Sequence, residues 1–268
     1  MSTVATAGIL ATLYLAFFLI ERLVPLRRAR APLWGRLLVN LGVSIAAFAT
    51  AFALVSPASD RTLEWTNASG FGLMQWLELP TMAESTLTFL LLDLTFYYWH
   101  VANHRFSPLW RIHNVHHVDP DLDVSTAFRF HFAEVALSAG FRVLQIMLIG
   151  PTALAYAIYE VAFQAGTLFH HSNIRLPERL ERRMNLAFVT PRMHGIHHSQ
   201  AREETNSNFG VVFSWWDRLH RTLGLDIPQE RIVIGIPGYS GDRDNRLTRL
   251  FAQPFVSQRD YWKRSDRT

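Results

Sequence analysis

Eleven of the twelve histidines in this 268-residue sequence lie between residues 100 and 198, at spacings typical of metal ligands. His100 and His104 stand four residues apart, which places both on one face of a helix. The pattern H-x-x-H-H occurs twice, and its adjacent histidines point in different directions, so that they can reach different metal ions. The eleven are His100, His104, His113, His116, His117, His131, His170, His171, His194, His197 and His198.

The absence of cysteine narrows the chemistry that these histidines can support. It excludes disulfides, zinc–thiolate sites, iron–sulfur clusters, haem–thiolate ligation and a cysteine nucleophile. A metal ion takes about four to six ligands, so eight or more histidines imply two metal ions. An isolated histidine is more often a hydrogen-bonded structural residue, and we interpret His220 in that way. The same interpretation fails for the whole set, because many buried imidazoles are costly unless something coordinates them.

Long apolar blocks must position the histidines. The composition is 49% hydrophobic and 18% charged, against about 25% charged in ordinary soluble domains. The apolar residues form five blocks long enough for helices that enter or cross a bilayer. These blocks are residues 4–20, 37–55, 85–101, 132–149 and 152–169. The sequence predicts an all-α, integral membrane bundle of four to five apolar helices with a cytoplasmic, His-rich, metal-binding cap.

The charges orient this bundle. Arginines crowd residues 22–36, whereas residues 56–80 carry three acidic residues and one arginine. The positive-inside rule predicts a cytoplasmic Arg-rich loop and an outer acidic loop, in an inner or cell membrane, with the metal site on the cytoplasmic side. The arginines form no basic stripe, which argues against nucleic acid as a partner. No basic residue precedes Arg22, so the first block is expected to be retained rather than cleaved as a leader.

We divide the chain into three parts on this basis. Residues 1–84 hold the N-terminal membrane helices and loops, and residues 85–222 hold the di-metal core with its histidine motifs. Residues 223–268 form an Arg-rich cytoplasmic C-terminal tail. Whether residues 132–169 cross the membrane completely stays open.

Carboxylates on the apolar blocks are candidates for supporting the histidines. Asp93, Glu134 and Glu160 each begin or join a polar stripe at helical spacing that includes a histidine. A ligating histidine commonly donates its second ring N–H to a carboxylate. The alternative is a polar contact between helices. The stripe from Glu160 favours His171 as a ligand over His170, which points about 100° away and stays uncertain.

The order of these motifs resembles the fatty acid hydroxylase superfamily, also called the sterol desaturase family. The resemblance covers about Asp93 to Thr222, and Phe132 departs from it, since family members often have proline there. The matching motifs are Asp93…Tyr97-Tyr98-Trp99-His100-x3-His104-Arg105, His113-x2-His116-His117, Arg129-Phe130-His131-x2-Glu134, His171-Ser172-Asn173, Thr190-Pro191-Arg192-x-His194-x2-His197-His198-Ser199, Asn208-Phe209-Gly210 and Trp216-Asp217.

The resemblance implies a membrane oxidoreductase with a non-haem centre of two iron ions. It uses O2 as co-substrate and two external electrons to hydroxylate or desaturate a C–H bond of a fatty acyl or sterol-like lipid. Asp93, Glu134, Glu160 and Asn208 are the expected supporting residues. The implied metal ligands are His100, His104, His113, His116, His117, His131, His171, His194, His197 and His198.

The electrons must come from a separate protein. The chain has no cysteine for an iron–sulfur cluster and no Gly-rich dinucleotide fingerprint. A ferredoxin or a b-type cytochrome system would supply them. The alternative function is a non-enzymatic metal- or haem-binding membrane protein or a transporter. Haem needs only one or two axial histidines, and transporters place their ligands near mid-membrane, so neither explains this set well.

Overall fold

The computed structural model describes residues 3–263, and within that range it contains helices and loops but no β-strand. A π-helical turn, Ala51–Val55, joins the second helix to the third without a break. The helices are α1 (Thr3–Leu23), α2 (Leu33–Thr50), α3 (Ser56–Ser69), α4 (Leu73–Trp76), α5 (Thr81–Arg105), α6 (Ser107–His117), α7 (Phe132–Ile149), α8 (Ala153–His171), α9 (Glu178–Met184), α10 (Pro191–His197), α11 (Arg202–Thr205), α12 (Trp215–His220) and α13 (Leu247–Ala252).

Three stretches of the described chain are long and apolar enough to cross a membrane: Ala5–Leu23, Leu33–Trp76 and Phe132–Ile149. Large apolar side chains on them face outward, with Leu19 62% exposed and Phe52 83% exposed. Such a surface is costly in water and suits contact with lipid tails. The predicted membrane helical bundle is confirmed.

The prediction of an acidic loop over residues 56–80 is wrong in its first half, which forms α3. Pro57 lies in the first turn of α3, directly after the π-helical turn, where a missing N–H is tolerated. Ser59, Leu63 and Thr66 are buried, and α3 packs mainly against α7. The helix ends at Gly70, whose φ of 65° is the left-handed conformation that glycine adopts readily.

Helix α5 lies against α6, α7 and α8 and so connects the apolar bundle to the histidines. The gap between the predicted blocks 132–149 and 152–169 is a short joint in the structure, because Gly150 ends α7 with a φ of 64° and α8 begins at Ala153. The two helices nevertheless find their main neighbours elsewhere: α7 packs against α3 and α2, and α8 packs against α5 and α1.

The segment predicted as a C-terminal tail packs into the protein over its described residues, 223–263. Ile236, Tyr239 and Leu250 are 2% exposed or less and share a core cluster with Val43 and Trp110. This cluster ties the segment to α2 and α6. The division of the chain at residues 84 and 222 stays a prediction.

Candidate metal centre

Nine histidines come together in two groups among the described residues. In each group, one ring nitrogen of every member lies within 4.8 Å of those of the other members. All nine are buried except His104, which is half-buried. The first group is His100, His104, His113, His117 and His197, and the second group is His116, His171, His194 and His198.

Each H-x-x-H-H triplet supplies both groups, in opposite ways. On α6, His113 and His117 are four residues apart and share the first group, while His116 faces the second. On α10, the order is reversed, because His194 and His198 share the second group and His197 faces the first. Helical spacing accounts for this division, since residues four apart share a face and the residue between them points elsewhere.

Hydrogen bonds to the outer ring nitrogens fix the orientation of several imidazoles. His100 Nδ1 donates to Phe209 O over 2.8 Å, and His197 Nδ1 donates to Ser207 O over 2.7 Å. His171 Nδ1 donates to Thr167 O over 2.8 Å. A carbonyl only accepts, so the proton of each neutral ring lies on Nδ1 and Nε2 carries a lone pair. This is the arrangement of a metal-ligating histidine.

The ring nitrogens that face the other members of each group lack satisfactory hydrogen-bond partners. In the first group, Nε2 of His113 and His197 and both ring nitrogens of His104 and His117 are buried and unpartnered. An unpaired buried polar atom costs about 1–3 kcal/mol, and a bound cation would remove that cost.

The second group shows the same convergence at closer range. His171 Nε2 lies 3.0 Å from His116 Nε2 and 3.1 Å from His194 Nε2. His198 Nε2 lies 3.1 Å from His194 Nε2. A neutral His171 with its proton on Nδ1 has no proton on Nε2 to donate to either neighbour. The donor set of both groups therefore fits metal ions that prefer imidazole nitrogen.

Burial keeps these rings uncharged. It lowers the pKa of His117, His194, His197 and His198 well below the usual value near 6.5, and the neighbouring histidines lower it further. A neutral imidazole is the form that binds a metal ion. The rings are ready to coordinate at neutral pH without first losing a proton.

His131 and His170 lie outside both groups. His131 Nδ1 accepts from Ala133 N at the start of α7, and its Nε2 lies 3.2 Å from Phe251 O. Because backbone groups engage both nitrogens, the structure does not support the predicted ligand role of His131. His170 Nδ1 donates to Val211 O over 3.1 Å, and its ring lies 4.2 Å from that of His194, tilted by 49°.

One of the four predicted supporting residues contacts a histidine. Glu134 Oε1 lies 2.8 Å from His113 Nδ1. Glu160 instead forms an ion pair with Arg142 over 2.9 Å. Asp93 accepts hydrogen bonds from Val212 N, Phe213 N and Trp216 Nε1. Asn208 donates to Met193 O and Gly224 O, over 2.9 and 2.7 Å.

Residues 207–213, here called the carbonyl loop, connect Asp93 and Asn208 to the histidines indirectly. The backbone carbonyls of Ser207, Phe209 and Val211 accept the hydrogen bonds of three histidines. Asn208 stands between the first two with a φ of 55°, in the left-handed region. Asp93 holds the far end of the loop through its bond to Phe213 N.

Asp217 holds the middle of the carbonyl loop, a role that the sequence did not reveal. Its carboxylate accepts from Phe209 N and Gly210 N, each over 2.8 Å, and from Thr222 Oγ1 over 2.7 Å. Asp217 is fully buried. The signal was present as Asn-Phe-Gly followed seven residues later by an acid, but spacing alone does not show that backbone amides are its partners.

Gly210 is expected to tolerate no side chain. A Cβ there would lie 2.8 Å from Asp217 Oδ2 and 2.8 Å from Phe213 O. We expect Gly210→Ala to destabilise the protein by about 1–3 kcal/mol and to lower its metal content, as measured by thermal unfolding and metal analysis. Gly140→Ala is the control, since nothing lies within 4 Å of that Cβ position. Unchanged stability and metal content in Gly210→Ala would contradict the role of the loop.

A cavity of about 480 Å³ adjoins the first group. Its lining residues include His104, Trp110 and Trp262, together with Arg105, Arg202 and Glu203. The Trp110 ring lies 4.8 Å from that of His104 and is stacked 6.1 Å from that of Trp262, at 14°. Aromatic rings thus run from the histidines to a cavity with basic side chains.

Comparison with known proteins adds independent findings. The family model described as fatty acid hydroxylase matches residues 85–222. Ornithine lipid hydroxylase OlsE of Rhizobium tropici is 30% identical over 205 residues, which are 75% of this chain and 59% of that protein. Alkylglycerol monooxygenase of Caenorhabditis elegans is 28% identical over 163 residues, or 60% and 31% of the two chains. Cholesterol 25-hydroxylase of Homo sapiens is 27% identical over 137 residues, or 50% and 48%.

The matched region spans less than two thirds of the length of each of these relatives. The region matched by the family model, residues 85–222, contains all nine histidines of the two groups, together with the carbonyl loop and Asp217. No solved structure matches the chain.

Proposed function

Because this chain belongs to the fatty acid hydroxylase family, we propose that it is a membrane-bound lipid hydroxylase whose two histidine groups hold two iron ions. The observation that carries the proposal is the convergence of buried ring lone pairs in two groups of five and four histidines. His131 is left out of the proposed ligand set.

The proposed reaction replaces a C–H bond of a lipid with C–OH. One lipid, one O2, two electrons and two protons give one alcohol and one water. When bound, the two iron ions supply the O2 reduction and C–H oxidation that side chains alone cannot perform. The chain holds the ions and fixes the imidazoles through their outer hydrogen bonds.

Two aromatic rings keep water away from the centre. Phe209 is fully buried, and its ring lies 5.2–5.6 Å from those of His100, His104 and His197 in the first group. Phe130 stacks on His116 of the second group at 4.5 Å and 10°. A water-poor pocket strengthens electrostatic interactions and limits side reactions.

A lipid substrate and hydroxylation rather than desaturation are supported by the relatives. Their names give three lipids, namely an ornithine lipid, an alkylglycerol and cholesterol, and each name is that of a hydroxylase or monooxygenase. The apolar bundle would give such a substrate access from the bilayer. We propose a fatty acyl or sterol-like lipid as the substrate class.

We further propose that a separate ferredoxin or b-type cytochrome supplies the electrons. The cavity beside His104 supports this, because Arg105 and Arg202 outnumber Glu203 in its lining and would attract an acidic carrier. The metal site is proposed to lie on the cytoplasmic side of an inner or cell membrane, since the arginines of residues 22–36 join two membrane stretches.

Metal analysis of the purified protein tests the proposal. We expect about two iron ions per chain, one for each group of histidines, and no Soret band. Protein isolated with zinc should bind iron after exchange. A haem spectrum would overturn the assignment.

The lipids of host cells give the matching test of activity. Cells that produce the chain are expected to contain a lipid with one more oxygen atom than cells that lack it. Loss of two hydrogens would indicate desaturation instead. An unchanged lipid profile in cells with an active electron donor would contradict the proposed enzyme.

A further inference from the structure

A second cavity, of about 130 Å³, lies where α1 ends and α2 begins. Leu33 and Leu122 are among its apolar lining residues, and Asp121 and Asp123 are acidic ones. The rest of its lining is unusually basic, and we call the site the arginine pocket. Its five arginines are Arg22, Arg27, Arg28, Arg30 and Arg36.

Both acidic residues of the pocket already bond to groups of the protein. Asp123 pairs with Arg22 over 2.9 Å and with Arg36. The Asp121 carboxylate accepts from the backbone N–H groups of Arg30 and Ala31, over 3.0 and 2.8 Å.

Five arginines against two aspartates give the lining a formal charge of +3. Within residues 3–263, the side chains of Arg27, Arg28 and Arg30 form no ion pair with a protein carboxylate. The pocket therefore has cations to offer to a ligand.

Arg27 has donor groups that no protein group satisfies. Its Nη1 donates to Gln229 Oε1 over 2.7 Å and lies 3.4 Å from Pro191 O. Its Nε and Nη2, which form the other edge of the guanidinium, are buried without a partner. That edge is the fork that binds two oxygens of one phosphate or carboxylate. Burial lowers the Arg27 pKa to about 10, which leaves the group cationic at neutral pH.

The surroundings of the pocket point to a lipid as the source of the anion. The pocket joins the ends of two membrane stretches, Ala5–Leu23 and Leu33–Trp76. Leu23 is 80% exposed and Trp34 is 75% exposed beside it. Tryptophan at such a position suits the headgroup level of a bilayer, and basic pockets between membrane helices bind anionic headgroups. We propose that the arginine pocket binds the phosphate of an anionic membrane phospholipid.

The pocket is linked to the histidine groups through Arg27. Asn173, two residues after His171, accepts from Arg27 N and donates to Arg27 O, over 2.9 and 2.8 Å. Gly195 of α10 packs directly on the guanidinium, where a Cβ would overlap Arg27 Nη1. A bound phosphate would hold Arg27 against α10, which carries His194 and His197. We therefore expect anionic phospholipid to stabilise the folded protein whatever reaction the metal centre performs.

Thermal unfolding of the full chain in lipid nanodiscs tests the proposal. Discs of phosphatidylcholine with increasing phosphatidylglycerol are expected to raise Tm in a saturable way, by about 5 °C or more at saturation. Phosphatidylcholine alone should not, because its ammonium is repelled by the pocket. The double variant Arg28→Gln/Arg30→Gln is expected to reduce the shift by about threefold or more, because it removes two of the three arginines that form no ion pair. Both side chains are exposed, so the variant should fold.

The matched control is Arg182→Gln/Arg183→Gln, which removes two exposed arginines of α9 outside the pocket. It should keep the full shift. The same shift in the pocket variant and the wild type, or an equal shift without phosphatidylglycerol, would overturn the proposal. Inorganic phosphate added to phosphatidylcholine discs is the third arm. A full shift with phosphate alone would assign the pocket to free phosphate and overturn the lipid assignment.

Discussion

Replacement of His197 with alanine is expected to abolish measurable lipid oxidation. It should leave about one iron ion per chain instead of two, because the first group loses one of its ligands. His197 Nε2 is buried and unpartnered within the first group, and its Nδ1 is fixed by Ser207 O at 2.7 Å. Removal of the ring opens that group while the second keeps its four histidines. We expect activity to fall at least about 100-fold, since loss of a supporting residue alone costs 10- to 100-fold. His116→Ala should do the same to the second group.

Two other histidines serve as controls for this experiment. His220 Nδ1 donates to Trp216 O and its Nε2 accepts from Tyr98 OH, each over 2.8 Å. His220 lies outside both groups. His220→Ala should keep both iron ions. His131→Ala should also keep them, although loss of its contact with Ala133 N would destabilise α7. Wild-type oxidation by His197→Ala or His116→Ala would count against the metal centre, and loss of iron in His131→Ala would restore His131 as a ligand.

Glu134→Gln is expected to weaken iron binding by about 10-fold or more. The Glu134 carboxylate accepts from His113 Nδ1 over 2.8 Å, and both side chains are buried. A neutral amide accepts that proton less strongly, so the ring becomes a poorer ligand and its orientation less fixed. Equilibrium titration of the metal-free variant with ferrous iron measures the change.

Glu160→Gln is the matched control for Glu134→Gln. Glu160 pairs with Arg142 over 2.9 Å, so its loss should lower Tm but leave iron affinity unchanged. The pair of variants separates support of the metal centre from support of the bundle. Equal iron affinities in the two variants would show that Glu134 does not act through His113.

The spacing of the histidines predicted most of the candidate site, and the failures have a common cause. His113 and His117, like His194 and His198, share a helical face that is already defined by the sequence. The partner of a carboxylate is not defined in that way. Glu134 and Glu160 both lie on polar stripes, but the rotation and height of the neighbouring helix decide whether a histidine or Arg142 stands opposite.

The partners of His131 were likewise not defined by its local sequence. The motif Arg129-Phe130-His131-x2-Glu134 implied that His131 is a ligand, yet His131 directly precedes α7, where a free backbone N–H needs an acceptor. His131 Nδ1 accepts that N–H, and the packing of α13 brings Phe251 O to its other nitrogen. Only the position of the C-terminal segment, over 100 residues later, reveals this arrangement.

The fold was predicted best where apolar residues form continuous blocks. Residues 132–149 were predicted to the residue because Gly150 and Pro151 end the helix. Over residues 56–69, the mean polarity hid the narrow buried face of Ser59, Leu63 and Thr66. The core position of residues 223–263 depends on contacts with α2 and α6 that no local pattern encodes.

The carbonyl loop makes its contacts with main-chain atoms, and this affects what a mutational scan can detect. Alanine at position 207, 209 or 211 keeps the oxygen that accepts from His197, His100 or His170. Such a scan would therefore not detect the role of these oxygens. It would instead identify Asp93 and Asp217, whose hydrogen bonds run to backbone amides rather than to imidazoles. Replacement of single peptide bonds by esters would test the oxygens themselves, because the carbonyl oxygen of an ester is a weaker hydrogen-bond acceptor than that of an amide.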